Sequence, residues 1–369
     1  MGISHTSVVP SRLTPMSGLT HAPHKPIEPR TRVGRAVKRA RERSAVRGYR
    51  TAAAAIGKIS PRISMSVGKA LFLTGYFAWP RKRRIILHNA SHVLGLPASD
   101  YRVRHLARRI YASYGQFVVE LMRMPQMPAD EPARLMRAGG ERGEDSFVAL
   151  WEQLRAQGRG MIAVSGHIGS IDLLAGAFAL RGLPTYGLAD DSAYPELFDE
   201  LNAQRKRWGI EIIPWRNLRR VFAALREPAI LGLPVDWGYR SEDVPVRIFG
   251  EWTTLPAGPA MLAAKTGAAI VPVVNRRDSF GSYHARHYDP IEVADSSPAS
   301  LQHATQQIAN SLEDMIAVAP EQWFSFKPMW PETDEEKDVL ARRAADMQAD
   351  LGRDRTSPAA PKPIPSNAI

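Results

Sequence analysis

A chain of 369 residues, 44% apolar and 23% charged, is long enough to bury one large core or two smaller ones, and it is too apolar to be disordered except at its ends. It contains no cysteine, which excludes thiolate nucleophiles, disulfides and zinc sites built on cysteine. The net charge of +12 is concentrated at the front: residues 1–110 hold 22 Lys/Arg against Glu28, Glu42 and Asp100, and the remainder is net negative. Such asymmetry suggests an anionic surface, nucleic acid or acidic lipid, as partner.

Residues 1–29 mix Ser, Thr, Pro and His without an apolar run, and so read as a disordered leader and not as a secretory signal. Residues 30–50 form an Arg-rich helix with Arg35, Lys38, Arg39, Arg41 and Arg43. Ser66–Trp79 is apolar and aromatic and runs into Pro80-Arg-Lys-Arg-Arg84. It is shorter than the roughly 18–20 residues of a membrane span and contains Lys69. An apolar helix abutting four cations is the layout of an interfacial segment, although an ordinary core helix with a basic turn has the same signature. Leu106, Ile110, Tyr114, Phe117, Val118 and Leu121 repeat at helical spacing over 100–124, and Met124-Pro-Gln-Met-Pro128 ends that helix. A basic helical region over 30–125 is thus expected to pack on a core over 126–352.

In that core, helices and short β-rich runs alternate. Helix Asp145–Gln157 is followed by strand Met161–Val164, and helix Asp172–Arg181 by strand Thr185–Leu188. Helix Pro195–Trp208 precedes strand Glu211–Pro214, and helix Arg219–Leu225 precedes strand Ala229–Leu233. Helix Pro259–Lys265, strand Ala269–Val274 and helix 300–318 complete the pattern, before a Pro/Ser/Ala-rich tail over 353–369 that reads as disordered. The alternation predicts an α/β fold with a mixed central sheet flanked by helices.

The chemistry is sought at Val164-Ser-Gly-His-Ile-Gly-Ser-Ile-Asp172. Gly166 and Gly169 permit a tight turn after the strand, Ser170 is placed to cap the next helix, and Asp172 falls in its first turn. His167 then projects from the carboxyl end of a strand, where open α/β sheets place their sites. A neutral imidazole suits removal of a hydroxyl proton, and a carboxylate on its other nitrogen would hold the tautomer. The spacing alone favours a satisfied loop histidine, and the strand–Gly–His–turn–helix context brings the two readings level. Phosphate-binding loops, the Gly-x-Ser-x-Gly elbow and the His-Glu-x-x-His metal motif are absent from the sequence, Gly158-Arg-Gly160 lacks a dinucleotide fingerprint, and His284 and His287 read as surface residues.

Beyond that turn, the region from about 60 to 330 resembles the bacterial lipid A biosynthesis acyltransferases, with their His-x4-Asp/Glu motif, and is most similar in style to their phosphatidylinositol mannoside acyltransferase branch. Besides the His turn, four blocks carry the likeness in order: Ala112–Pro125, Tyr194–Gly209, Leu233–Pro259 and Pro320–Trp330. The resemblance implies a glycerolipid acyltransferase-like fold. It implies acyl transfer from acyl-CoA or acyl carrier protein to a hydroxyl of a lipid or glycolipid, with His167 as base and Asp172 as its partner. It also places Asp236 in the catalytic pocket, where the branch tends to carry Glu. Gly166, Gly169 and Ser170 would lie against substrate. Arg205, Arg207 and Arg240 would hold donor phosphates or a head group, since guanidinium pairs bidentately with phosphate. No metal or organic cofactor is expected, nor nucleic acid as partner. The expected place is the cytoplasmic face of the membrane, attached peripherally to its anionic surface. A polyanion-binding protein and a hydrolase of thioesters or lipid esters are the competing readings.

Overall fold

The computed structural model describes residues 31–137, 142–189, 195–279 and 282–354. The expected leader, and the tail from 355 onward, lie outside them. Four helices form the front: α1 (Arg32–Gly57), α2 (Pro61–Ala78), α3 (Pro80–Leu94) and α4 (Tyr101–Arg123). Proline at the first helical position starts both α2 and α3, where its missing N–H costs nothing. The cations at 81–84 are thereby the first turn of a helix and not a basic turn. Asp100 caps α4 by accepting the Arg102 amide at 2.8 Å. Gly68 of α2 faces Gly115 of α4, and a Cβ on either would overlap the other's backbone carbonyl, so only glycine permits this crossing.

The core carries α5 (Glu131–Leu135), α6 (Glu144–Ala156), α7 (Ile171–Leu180), α8 (Pro195–Arg207), α9 (Leu218–Arg226), α10 (Gly258–Thr266), α11 (Pro298–Val318) and α12 (Asp334–Asp354). Its strands are β1 (Met136–Arg137), β2 (Met161–Ser165), β3 (Thr185–Ala189), β4 (Ile210–Pro214), β5 (Ile230–Pro234), β6 (Val244–Ile248), β7 (Glu251–Leu255), β8 (Ala269–Ser279) and β9 (Ser282–His287). Seven strands form one sheet in the order β1-β9-β8-β2-β5-β3-β4, parallel except for the β8–β9 pair; β6 and β7 form a separate hairpin. The mixed α/β sheet expected from the sequence is therefore present.

Strand β2 lies between β5 and β8 and is buried at every position, as its unbroken apolar sequence requires in a parallel sheet covered on both sides. Its side chains alternate between two cores. Ile162 and Val164 face the cluster that holds Val221, Leu225, Ile308 and Leu312 from α9 and α11. Met161 and Ala163 face the cluster that holds Phe147, Trp151, Leu173 and Phe178 from α6 and α7. The front docks on the core through α4. Arg277 of β8 forms a buried ion pair with Glu120, and Phe326 packs edge-on against Tyr111.

Several elements were not legible in the sequence. The β6–β7 hairpin turns at Phe249-Gly250, both with positive φ (51° and 78°), a turn usually marked by Asn-Gly. Strand β9 pairs with β8 and β1 and buries Tyr283 and Ala285 between polar and charged neighbours. Helix α12 packs Leu340 and Ala344 inward, although its surrounding sequence is polar.

Candidate active site

The turn after β2 is fixed by its neighbours on three sides. Gly169 has φ 61°, and a Cβ there would overlap the carbonyl oxygen of Asn275 on β8. Asn275, itself buried, donates from Nδ2 to the Ser170 carbonyl at 2.9 Å. The segment around the 3-10 turn Pro320–Gln322 closes the third side: the Gly169 amide donates to the Gln322 carbonyl at 3.1 Å, and the Phe324 amide donates to the His167 carbonyl at 2.8 Å. Gly166 is held small by Leu312 and by the Asp236 carboxylate, which a Cβ would approach to 3.3 Å. These glycines shape the turn. Ser170 is buried at the start of α7, but its side chain makes no capping hydrogen bond there, contrary to expectation.

The carboxylate on the His167 ring is Asp236. His167 Nδ1 lies 2.6 Å from Asp236 Oδ1, and the His167 backbone amide donates to Oδ2 at 2.8 Å. Trp323 Nε1 also donates to Oδ2, at 2.8 Å. Ionised carboxylate oxygens only accept, so Nδ1 carries the proton and Nε2 has its lone pair free. Asp236 is buried, whereas the His167 side chain keeps 40% of its surface open to a cavity. Burial alone would lower the His167 pKa, but the Asp236 charge and hydrogen bond outweigh it and hold the imidazole above its ordinary 6.5. Burial likewise pushes Asp236 up, and the histidine with its hydrogen bonds brings it below the usual carboxylate value. The Trp237 ring stands edge-on to His167 with centroids 5.4 Å apart, and the Lys327 ammonium lies 4.9 Å from the Trp237 centroid.

Asp172, expected on that ring, points elsewhere. Arg205 of α8 donates from Nε to Asp172 Oδ1 at 2.7 Å. The pair is largely buried, and both residues line the same cavity as His167. Burial disfavours the Arg205 cation, yet Asp172 more than offsets this and raises its pKa.

The other two arginines are placed away from the cavity. Arg207 donates to the Pro125 carbonyl at 2.9 Å and to Gln204 Oε1 at 3.1 Å, which ties α8 to the end of α4. Arg240 lies beyond β5, with its amide donating to Thr254 Oγ1 at 3.1 Å. Neither lines the cavity. His284 pairs with Asp278, and His287 Nε2 lies 2.9 Å from Ser146 Oγ, so both are half-buried and partnered and not free at the surface. Among the described residues no group of His, Asp and Glu could hold a metal ion.

The cavity measures about 470 Å³, within the range of small-molecule sites. It opens at His167 and runs between α7 and the sheet. Phe117, Leu121, Phe178, Ile212 and Leu233 give it an apolar wall, Asp172 and Arg205 are its charged groups, and His167, Tyr114 and Tyr186 also line it. Reading the sequence missed Asn275 as a support, and it gave Trp323 no role within its block.

Residues 57–332 match the family described as bacterial lipid A biosynthesis acyltransferase. A phosphatidylinositol mannoside acyltransferase of Mycolicibacterium smegmatis is 29% identical over 248 residues, covering 66% of this chain and 77% of the relative. Proteins of the same name from two strains of Mycobacterium tuberculosis are 28% and 27% identical over 262 residues, covering 69% of this chain and 79% of each relative.

The geometry ranks the two aspartates. Asp236→Asn is expected to lower turnover by about 10³–10⁴-fold, as loss of a histidine's carboxylate partner does elsewhere, and Asp172→Asn by less. As a general base His167 would act in its neutral form, so kcat/KM is expected to rise with pH through the His167 pKa, with its acid limb above 6.5. In Asp236→Asn burial is unopposed, and the limb moves to lower pH. A pH–rate profile of both variants checks the order and the direction.

Proposed function

The chain belongs to the bacterial lipid A biosynthesis acyltransferase family and is an acyltransferase acting on a lipid or glycolipid, and on that footing we propose that it moves a fatty acyl group from an acyl-CoA or acyl carrier protein thioester to a hydroxyl of that lipid, with His167 as general base. One observation carries this reading. The imidazole stands between a buried, triply hydrogen-bonded carboxylate and the mouth of an apolar cavity. Carboxylate and imidazole together make a base, and the cavity offers an apolar site for the acyl tail.

The acceptor oxygen attacks the thioester carbonyl while Nε2 takes its proton. Collapse of the tetrahedral intermediate breaks the C–S bond, and the imidazolium returns its proton to the departing thiolate. Asp236 stays ionised and stabilises the imidazolium. The turn amides of His167, Ile168 and Gly169 are already engaged with Asp236, Gly166 and Gln322, so they are not donors for the oxyanion. Arg205 is the cation that faces substrate, oriented by Asp172. The names of the mycobacterial relatives suggest a mannosylated phosphoinositide as one acceptor to try.

The reading includes attachment to the anionic cytoplasmic face of a membrane. No helix among the described residues is long and apolar enough to cross one. Helix α2 buries Met65, Gly68 and Tyr76 on one side. On the other it exposes Ile63, Val67, Leu71 and Phe77, which together with Trp79 are 58–63% exposed. An apolar helix face left open in this way marks an interaction surface. Arg62, Lys69, Arg81 and Arg84 rim it, all exposed. Each apolar side chain inserted contributes up to about 1.5–3 kcal/mol, and each cation near an anionic surface about 1 kcal/mol, so the two together suffice for peripheral binding.

Purified protein with labelled acyl-CoA and a panel of acceptor lipids, phosphatidylinositol mannosides included, tests the reaction by mass spectrometry of the products. His167→Ala is expected to reduce acylated lipid by at least about 10³-fold in protein that still folds, with a lowered melting temperature because the buried Asp236 loses its ring partner; retained transfer, or free fatty acid without acylated lipid, contradicts the reading. For the surface, Leu71→Asp with Phe77→Asp is expected to abolish flotation with anionic vesicles. Flotation equal to wild type places the docking face elsewhere.

A further inference from the structure

Strand register determines the depth of the cavity. On the face of the sheet toward α7, side chains from neighbouring strands align in rows. The row nearest His167 contains Ser165 and Pro234. The middle row reads Val271, Ala163, Gly232, Gly187, Ile212 across β8, β2, β5, β3 and β4. The far row reads Ala269, Met161, Ile230, Thr185, Ile210. The three central positions of the middle row thus have a methyl group or no side chain, and all three border the cavity. In the far row Ile230, Thr185 and Ile210 are each at most 5% exposed and also border it. Phe178 of α7 borders the same end, held by stacking on Phe147 with centroids 4.0 Å apart. The channel therefore starts beside the base, passes over the small middle row and ends against large, rigid side chains.

We propose that Gly232, Gly187 and Ala163 form the bed of the acyl chain and that Ile230 with Phe178 is its stop, so that these residues set the longest acyl group transferred. The proposal rests on the acyl-transfer reading above and adds the residues that set chain length. Four residues of strand separate the first row from the last, about 13 Å. An extended chain of tetrahedral atoms advances about 1.2 Å per bond, so one row, about 7 Å, corresponds to five or six carbons.

Gly232 is the cleaner position to block. A Cβ there meets nothing closer than the Tyr186 carbonyl oxygen at 3.5 Å, and its φ lies outside the left-handed region. A β-branched residue suits a strand, and its methyl groups would enter the cavity. At Gly187 a Cβ would meet Ile212 Cδ1 at 2.8 Å, so a substitution there disturbs its neighbour as well.

The test is a competition among saturated acyl-CoA thioesters of increasing length, with kcat/KM measured for wild type, Gly232→Val and Ile230→Ala. Gly232→Val should move the preferred length down by about five carbons, and Ile230→Ala should move it up. Each should change the ratio of long to short substrates by at least tenfold, since one misplaced methylene in an apolar pocket costs about 10-fold or more. If Gly232→Val does not fold, Ile230→Ala decides alone through the opposite shift. Wild type that transfers acyl groups, with stable variants keeping the wild-type order of lengths, overturns the assignment of the bed and stop and leaves the reaction standing. Wild type that transfers no thioester of any length overturns the reaction, and this assignment with it.

Discussion

One buried carboxylate holds the site together. Asp236 accepts from the His167 ring, the His167 amide and the Trp323 indole, and those donors come from two separate segments of chain. Hydrogen bonds to a charged group are each worth about 1.5–3 kcal/mol, and a buried charge without them would be strongly destabilising. The same three bonds that keep Asp236 ionised in the interior therefore fix the orientation of His167. They also bind the end of β5, the turn after β2 and the segment after Pro320–Gln322 to one another. Structure and reactivity share one cause here: what stabilises the buried charge also raises the basicity of the imidazole.

Around that point the sheet supplies both a mouth and a depth. The parallel pairing of β2 with β5 and β8 places the carboxyl ends of the strands, and so the His turn, at one edge. Toward the other edge the row Ala163, Gly232, Gly187 opens space under α7, and the next row closes it. Asp172 and Arg205 neutralise one another at the side of this channel, so an otherwise apolar cavity gains a polar group at low net charge. The front helices cover the channel with Phe117 and Leu121 and turn the apolar face of α2 outward.

Much of this was legible in the sequence, and the rest failed for identifiable reasons. Hydrophobic periodicity located most of the core helices and the parallel strands, because each buries a continuous or regularly spaced apolar set. The pattern strand, Gly, His, Gly located the turn. Its aspartate five residues on was the wrong partner for the ring, because Asp172 sits on a helix that carries it toward Arg205. The true partner is 69 residues away and follows from pairing: Ser165 lies opposite Pro234, the Val235 amide donates to the Ser165 carbonyl at 2.8 Å, and two residues further His167 meets Asp236. Periodicity does not reveal which strands are neighbours. The resemblance had put Asp236 in the pocket without that geometry. The resemblance had offered Arg207 as a phosphate ligand through its place in the second block, but its guanidinium is used on the Pro125 and Met127 carbonyls, a partner choice that a block of sequence does not reveal.

Asp236 holds His167 with its proton on Nδ1 and its lone pair on Nε2. Nitrogen-15 NMR of the histidine side chains, followed through pH in wild type, Asp236→Asn and Asp172→Asn, measures this directly. The expected result is a neutral His167 protonated at Nδ1 that titrates above 6.5 in wild type and in Asp172→Asn, and at lower pH in Asp236→Asn. A His167 protonated at Nε2, or one whose titration responds to Asp172 and not to Asp236, would contradict it.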